Sequence, residues 1–259
     1  MDNVFQVDLN SDLGESFGNY KIAGDADIIR LVSSANVACG CHAGDPVVMD
    51  ATILRAKEAG IRVGAHPGYP DMQGFGRRNM ALSPEEARAY VIYQIGALQA
   101  FCRRHDVKLQ HVKPHGALYN AAAKDPALAK AIAEGICSVD PDLILMGLAG
   151  GELIKAGREA GLRVAEEVFA DRAYEEDGTL RARTYPDALI RDEEEAVSRV
   201  IRMIQYGEIE AVNGKIIPIR ADSICVHGDG EKALKFVEKI RARLIEEEIK
   251  ISPLQDFIK

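Results

Sequence analysis

The sequence lacks the features of membrane-spanning and nucleic-acid-binding proteins. Its longest apolar run, residues 143–149, is far shorter than the ~20 residues that a membrane-spanning helix needs. Acidic residues outnumber basic residues, so the formal net charge is -8 and the isoelectric point is near 5.4. Nucleic acids and anionic membranes are bound through a basic field. We therefore expect neither as a partner.

A secretory signal and a set of paired cysteines are also missing. The N-terminus begins Met1-Asp2-Asn3, without the basic region and apolar core of a signal, so we expect a cytoplasmic protein. The five cysteines are odd in number and scattered, which predicts reduced thiols. Cys39 and Cys41 stand next to His42, but their spacing does not match structural zinc sites and no second pair exists. We favour small buried thiols.

The nucleotide-binding P-loop is absent as well. Gly207 and Gly214-Lys215 are too far apart for its spacing, and Ile216 stands where the motif needs a hydroxyl. The segment 227–233 contains a Gly-x-Gly-x-x-Ala turn between a predicted strand and a predicted helix. Such a turn can hold an anion at the helix N-terminus. An ordinary tight turn explains the same glycines equally well.

The segment 36–45 is the most informative stretch that is present. Apolar residues alternate up to Cys39 as in a buried strand, and a glycine-containing polar turn follows. Asp45-Pro46 then predicts a helix start, with a capping carboxylate before a proline at the first helical position. His42 therefore lies in a strand-to-helix loop. In parallel α/β proteins such loops form the ligand site.

The same strand-to-helix pattern recurs about seven times, which predicts an α/β fold with one β/α barrel over residues 1–259. The first strand is predicted to end within the polar segment 8–15, just after Leu9. Residues 171–191 are charged and without periodicity, so we expect a long loop over the site. The predicted strands lie at 4–7 with Leu9, 35–39, 61–65, 109–112, 143–148, 162–169 and 223–226.

Histidines follow four of these strands directly, whereas His105 and His111 do not. One histidine after a strand is more often a loop cap or a packed residue than a ligand, but four in equivalent positions weaken that explanation. The carboxyl ends of barrel strands meet at one face, so we expect these side chains to converge there with two aspartates. The converging set is Asp8, Asp12, His42, His66, His115 and His227.

Eight segments, in the same order, resemble the LamB/YcsF family, the A subunit of bacterial ATP-dependent 5-oxoprolinase. The resemblance implies a distorted seven-stranded β/α barrel similar to the glycoside hydrolase/deacetylase superfamily. It also implies cleavage of 5-oxoproline to glutamate with ATP hydrolysis, in a complex with subunits B and C. The segments are 8–15, 36–45, 64–71, 74–78, 112–120, 167–174, 181–184 and 226–229.

A five-membered lactam is an unstrained amide. Its hydrolysis needs an activated carbonyl, a positioned water, a proton for the nitrogen and donors for the oxyanion. Phosphorylation of the lactam oxygen by ATP would activate the carbonyl. We expect Asp12 to act as base, His115 as acid, and Lys113 or His66 to lie near the oxyanion. Substrate contacts are expected from Asn10, His42, His66, Arg77, Arg78 and His227, with an arginine on the carboxylate.

Two other functions remain open at this point. In the first, the chain alone is a metal-dependent amide or ester hydrolase, with Asp12, His66 and His115 as an open metal site. In the second, the barrel is a non-catalytic subunit that binds the substrate for its partners. The activity of the isolated chain, with and without added metal and chelator, separates the three possibilities.

Overall fold

Seven parallel strands close into a barrel, as the sequence predicts. A computed structural model of the chain describes residues 5–22, 25–226 and 231–259. The strands are β1 (Gln6–Leu13), β2 (Ser34–Ala38), β3 (Arg62–His66), β4 (Leu109–Val112), β5 (Ile144–Leu148), β6 (Arg163–Phe169), β7 (Glu208–Glu210), β8 (Ile216–Pro218), β9 (Ser223–Cys225) and β10 (Lys250–Ile251). Strands β1 to β6 pair in sequence order, and β9 closes the barrel because it pairs with both β6 and β1. β10 extends the start of β1, and β7 and β8 form a separate antiparallel pair.

Helices follow the strands and begin at capping residues, as predicted for Asp45. The aspartates at 45, 125 and 192 each accept hydrogen bonds from the first turn of a helix, and Ser83 forms a capping box with Glu86. The short helices α1 and α4 were not predicted. The helices are α1 (Asp25–Ile28), α2 (Pro46–Ala59), α3 (Pro84–Arg104), α4 (Gly116–Ala122), α5 (Pro126–Val139), α6 (Glu152–Glu159), α7 (Glu193–Gln205) and α8 (Glu231–Glu246), with a 3-10 turn at Leu254–Asp256.

An apolar layer between strands and helices forms the core. One face of α3, from Val91 through Ile95 and Leu98 to Cys102, is fully buried in this layer. All five cysteines are free thiols, as expected. In the part of the chain that the structure describes, no helix combines the length and apolar character needed to cross a bilayer.

The predicted end of the first strand is wrong, because β1 continues to Leu13. Val7 and Leu9 belong to the apolar core, whereas Asp8 and Asn10 form hydrogen bonds with the polar side chains of neighbouring strands. The barrel interior is therefore polar. A strand with one polar face looks like a polar turn in the sequence, since the partners of that face come from distant segments.

Candidate active site

A cavity of about 970 Å³ opens at the carboxyl ends of the barrel strands. Asp12 of β1, His66 at the end of β3, and Lys113 and His115 after β4 line it. Residues 179–184 of the segment after β6 line it as well, which agrees with the predicted long loop over the site. Groups distant in sequence are thus brought to one place by the parallel barrel.

Lys113 is the central cation of the site. Its ammonium lies 2.7 Å from Glu167 Oε1 and 3.1 Å from Asp12 Oδ1, and its side chain is almost fully buried. Burial lowers the pKa of Lys113, but the neighbouring Asp12 and Glu167 carboxylates outweigh burial and hold it well above its usual range. Lys113 therefore carries a permanent positive charge. Tyr119 and Asn10 each donate a hydrogen bond to the Glu167 carboxylate.

A polar network supports this cation from inside the barrel. The side-chain amide of Asn36 donates hydrogen bonds to Asn10 Oδ1 and Asp12 Oδ1. Its side-chain oxygen, Oδ1, lies 2.7 Å from His111 Nε2. Burial lowers the pKa of His111 to about 3, so its ring is neutral and donates to Asn36. A Cβ atom on Gly64 would overlap the His111 ring, which explains a glycine in the middle of β3.

Three histidines pack against one another beside Asp12. The ring nitrogens His66 Nε2 and His115 Nδ1 are 2.9 Å apart. The rings of His42 and His115 stack in parallel, with centroids 3.7 Å apart. Burial lowers the pKa of His115 to about 3 and that of His42 well below its usual value, so both rings are neutral.

Two carboxylates adjoin the histidines. Asp12 Oδ2 lies 3.3 Å from His66 Nε2, and Glu15 Oε1 lies 3.2 Å from His42 Nε2 and 3.5 Å from His115 Nδ1. One potential ligand atom from each of Glu15, His42, His66 and His115 lies within 4.8 Å of the others. Imidazole and carboxylate groups at this separation are able to hold a divalent metal ion.

The charged residues that line the cavity are mostly basic, although the whole chain is acidic. Arg172 is buried, and its Nε has no hydrogen-bond partner among the described residues. Burial is the main effect that lowers the pKa of Arg172, and the nearby positive charge of Arg183 lowers it further. The lining contains six basic residues, Arg77, Lys113, Lys124, Arg172, Arg181 and Arg183, against three acidic residues, Asp12, Glu15 and Asp125. This excess favours an anionic ligand.

The structure brings most of the predicted site residues together. Asp12, His66, Arg77, Lys113 and His115 all line the cavity. His105, which was expected to lie elsewhere, pairs with Asp50 at a distance of 2.8 Å, away from the cavity lining. The prediction of convergence at the strand ends is confirmed for these residues.

Four predicted residues, Asp8, Asn10, His42 and Arg78, do not line the cavity. Asn10 and His42 are fully buried behind the lining, so the expectation that His42 lines the cavity is wrong; its ring is covered by His115. Arg78 pairs with Asp71 and does not line the cavity. His227 lies outside the described residues.

The sequence alone predicts no role for Glu15, Asn36 and Glu167. Glu167 and Asn36 occupy strands and are fully buried, so in the sequence they were indistinguishable from ordinary strand residues. A useful signal was available for Glu167, because a charged residue inside a buried strand needs a partner of opposite charge. Glu15 lies three residues after Asp12, and only the fold shows its contact with His42.

The fold and the site define a parallel β/α-barrel protein with acid–base and potential metal-binding groups at its strand ends. The sequence matches the LamB/YcsF family over residues 7–259, and the chain belongs to this family.

Similar proteins cover almost the whole chain. A protein from Clostridium beijerinckii, named as the A subunit of 5-oxoprolinase, is 61% identical over 251 residues, which are 97% of this chain and 98% of the relative. A protein of the same name from Alkaliphilus metalliredigens is 56% identical and covers 99% of this chain and 100% of its own. The crystal structure of a lactam utilization protein from Thermus thermophilus superposes with a TM-score of 0.91 at 46% identity, covering 96% of this chain and 99% of that chain.

Proposed function

We propose that this chain is the ring-opening subunit of an ATP-dependent 5-oxoprolinase and acts with subunits B and C. The relatives that are more than half identical are named as the A subunit of 5-oxoprolinase. The observation that carries the proposal is the buried Lys113 between Asp12 and Glu167, at the base of a basic cavity. This arrangement suits the addition of water to an activated carbonyl.

The charge of the cavity supports a substrate with more than one negative charge. The carboxylate of 5-oxoproline accounts for one charge, and a phosphate on the lactam oxygen adds at least one more. Arg77 and Arg183 line the cavity, and Arg172 lies in its wall with an Nε that no described residue contacts by a hydrogen bond. We assign the phosphorylation step to the partner subunits, because this sequence has no P-loop. The proposed complex thereby uses ATP as cosubstrate.

The contacts suggest a role for each catalytic group. Asp12 has its Oδ1 on Lys113 and its Oδ2 toward His66, and its side chain remains 18% exposed, so we propose it as the base that activates water. Lys113 is a fixed cation, which we place near the developing oxyanion. The acid role expected for His115 requires a change in its contacts, because its two nitrogens face Phe75 O and His66 Nε2.

Reconstitution tests the dependence on partners. We expect the purified chain alone to release no phosphate from ATP when 5-oxoproline is present. Addition of subunits B and C should give glutamate and phosphate in step with each other. Strong ATP hydrolysis by this chain alone would contradict the proposal. Cleavage of simple amides without ATP would instead support the independent metal-dependent hydrolase.

Asp12→Asn tests the base within the reconstituted complex. The substitution keeps the shape and one hydrogen-bond acceptor but removes the basic carboxylate, so turnover should fall on the order of 10²-fold or more. His105→Ala is the matched control, because His105 also pairs with an aspartate but lies outside the cavity lining. Near-normal turnover in a folded Asp12→Asn complex would show that another residue is the base.

A further inference from the structure

The facing nitrogens of His66 and His115 present an unusual contact. His66 Nδ1 lies 2.7 Å from the carbonyl oxygen of Lys113, and His115 Nε2 lies 2.8 Å from that of Phe75. A carbonyl oxygen only accepts hydrogen bonds, so both of these ring nitrogens carry the hydrogen. With one hydrogen on each ring, the other nitrogens, His66 Nε2 and His115 Nδ1, face each other with lone pairs at 2.9 Å. Two lone pairs at this distance repel each other unless a cation lies between them.

Two carboxylate oxygens face the same nitrogens. Asp12 Oδ2 is 3.3 Å from His66 Nε2, and Glu15 Oε1 is 3.5 Å from His115 Nδ1. Each facing nitrogen thus has a carboxylate oxygen beside it, and Glu15, His66 and His115 each offer a ligand atom within 4.8 Å of the others. In a tetrahedral zinc site with metal–ligand distances of 2.0–2.2 Å, neighbouring ligand atoms are about 3.3–3.5 Å apart. The separations of 2.9 Å between the two nitrogens and 3.5 Å between Glu15 Oε1 and His115 Nδ1 are close to this spacing.

We propose that His66 Nε2, His115 Nδ1 and the Glu15 carboxylate bind a divalent transition-metal ion such as Zn²⁺. Two imidazoles and one carboxylate form a ligand set that leaves a fourth position open. All three residues and Asp12 line the cavity, so the open position faces it, beside Asp12. Imidazole nitrogens select zinc-like ions over Mg²⁺, which prefers oxygen ligands. A bound ion of this kind lowers the pKa of a coordinated water.

His42 supports the ligands from behind. Its Nε2 lies 3.2 Å from Glu15 Oε1, and its ring stacks on His115. A Cβ atom on Gly68 would lie 2.6 Å from His42 Nδ1, and one on Gly76 would lie 2.7 Å from His42 Cβ. These two glycines let the chain close over the ring. A buried group that orients a metal ligand is a regular part of such sites.

Ion binding goes beyond the proposed function and is measured without 5-oxoproline, ATP or partners. The full chain is stripped with a chelator and titrated separately with Zn²⁺, Co²⁺ and Mg²⁺ by calorimetry, and its metal content is measured after desalting. We expect one Zn²⁺ per chain, a visible absorption band for Co²⁺ in a low-symmetry site, and no effect of Mg²⁺. At 100-fold excess over the dissociation constant, Zn²⁺ should raise the melting temperature by about 5 °C or more. If the folded wild-type chain retains no Zn²⁺, the inference is wrong. A proton shared between His66 Nε2 and His115 Nδ1 would then explain their close contact.

Substitutions locate the ion. Glu15→Gln and His115→Ala should each weaken Zn²⁺ binding about 100-fold or more, and His42→Asn about 10- to 100-fold through the supporting contact. Circular dichroism checks that each variant is folded. His105→Ala is the control, because His105 and its aspartate partner are a separate imidazole–carboxylate pair. Zn²⁺ binding that survives Glu15→Gln but is lost with His105→Ala would place the ion elsewhere and refute the proposed site. The two proposals can fail separately. If the chain does not bind Zn²⁺, the proposed 5-oxoprolinase reaction still stands. If the reconstituted complex is inactive but the chain binds Zn²⁺, the proposed metal site still stands.

Discussion

Asp8→Asn should remove a defined part of the pH dependence of stability. The Asp8 carboxylate is fully buried in the barrel and accepts hydrogen bonds from Ser33, Ser34 and Ser223 at 2.6–2.7 Å. Burial raises the pKa of Asp8 to about 6, because desolvation outweighs the three hydroxyl groups, which lower it. The folded state therefore holds this proton more tightly than the unfolded chain, whose carboxyl has a pKa of 3.8.

The sign and size of the effect follow from linkage. The contribution of Asp8 to the free energy of unfolding is complete below a pH of about 3.8 and is lost as the pH rises through about 6. The difference of about two pKa units corresponds to about 3 kcal/mol in total. Between about pH 4.5 and about pH 7.5 the change is about 2 kcal/mol, because the unfolded carboxyl is already mostly ionised at the lower pH.

Urea and thermal unfolding across this pH range measure the effect. The stability of the wild type relative to Asp8→Asn should fall by about 2 kcal/mol from about pH 4.5 to about pH 7.5, or about 4–8 °C in relative melting temperature. Asp142→Asn is the control, because Asp142 is an exposed carboxylate and its removal should leave the wild-type pH dependence unchanged. Parallel pH profiles for the wild type and Asp8→Asn would refute the reasoning.

Two other substitutions test the barrel interior. Gly64→Ala places a Cβ atom against the His111 ring and should cost about 1–3 kcal/mol in urea unfolding. Gly96→Ala, with open space around an exposed helical glycine, should be neutral or stabilising by up to about 1 kcal/mol, and equal effects at both positions would contradict the steric argument. Lys113→Met should cost about 3–5 kcal/mol because it leaves two carboxylates without their cation. Adding Glu167→Gln removes one of these carboxylates and should recover part of the lost free energy of unfolding. If the double variant is no more stable than Lys113→Met, the unpaired carboxylates are not the cause of the loss.

The sequence was sufficient for the seven barrel strands, for most of the helices that follow them, and for their order. Strand-to-helix units, a capping aspartate at 45, 125 and 192, and the capping box at Ser83 are encoded within a few residues of each helix start. Repeated parallel units imply that the strand ends meet, and this predicted that Asp12, His66 and His115 share one site. The segments of family resemblance predicted the LamB/YcsF family, which the comparisons confirm.

The interior of the barrel was decided by the tertiary structure. Whether Glu167 is an ordinary strand residue or the partner of Lys113 depends on strands that are more than fifty residues apart in the chain. The same holds for Asp8, since its serine partners come from β9 and from residues around the start of β2. Local sequence patterns reflect the geometry of one strand at a time. Barrel closure selects which polar faces meet, and their burial then fixes the charge states on which the site depends.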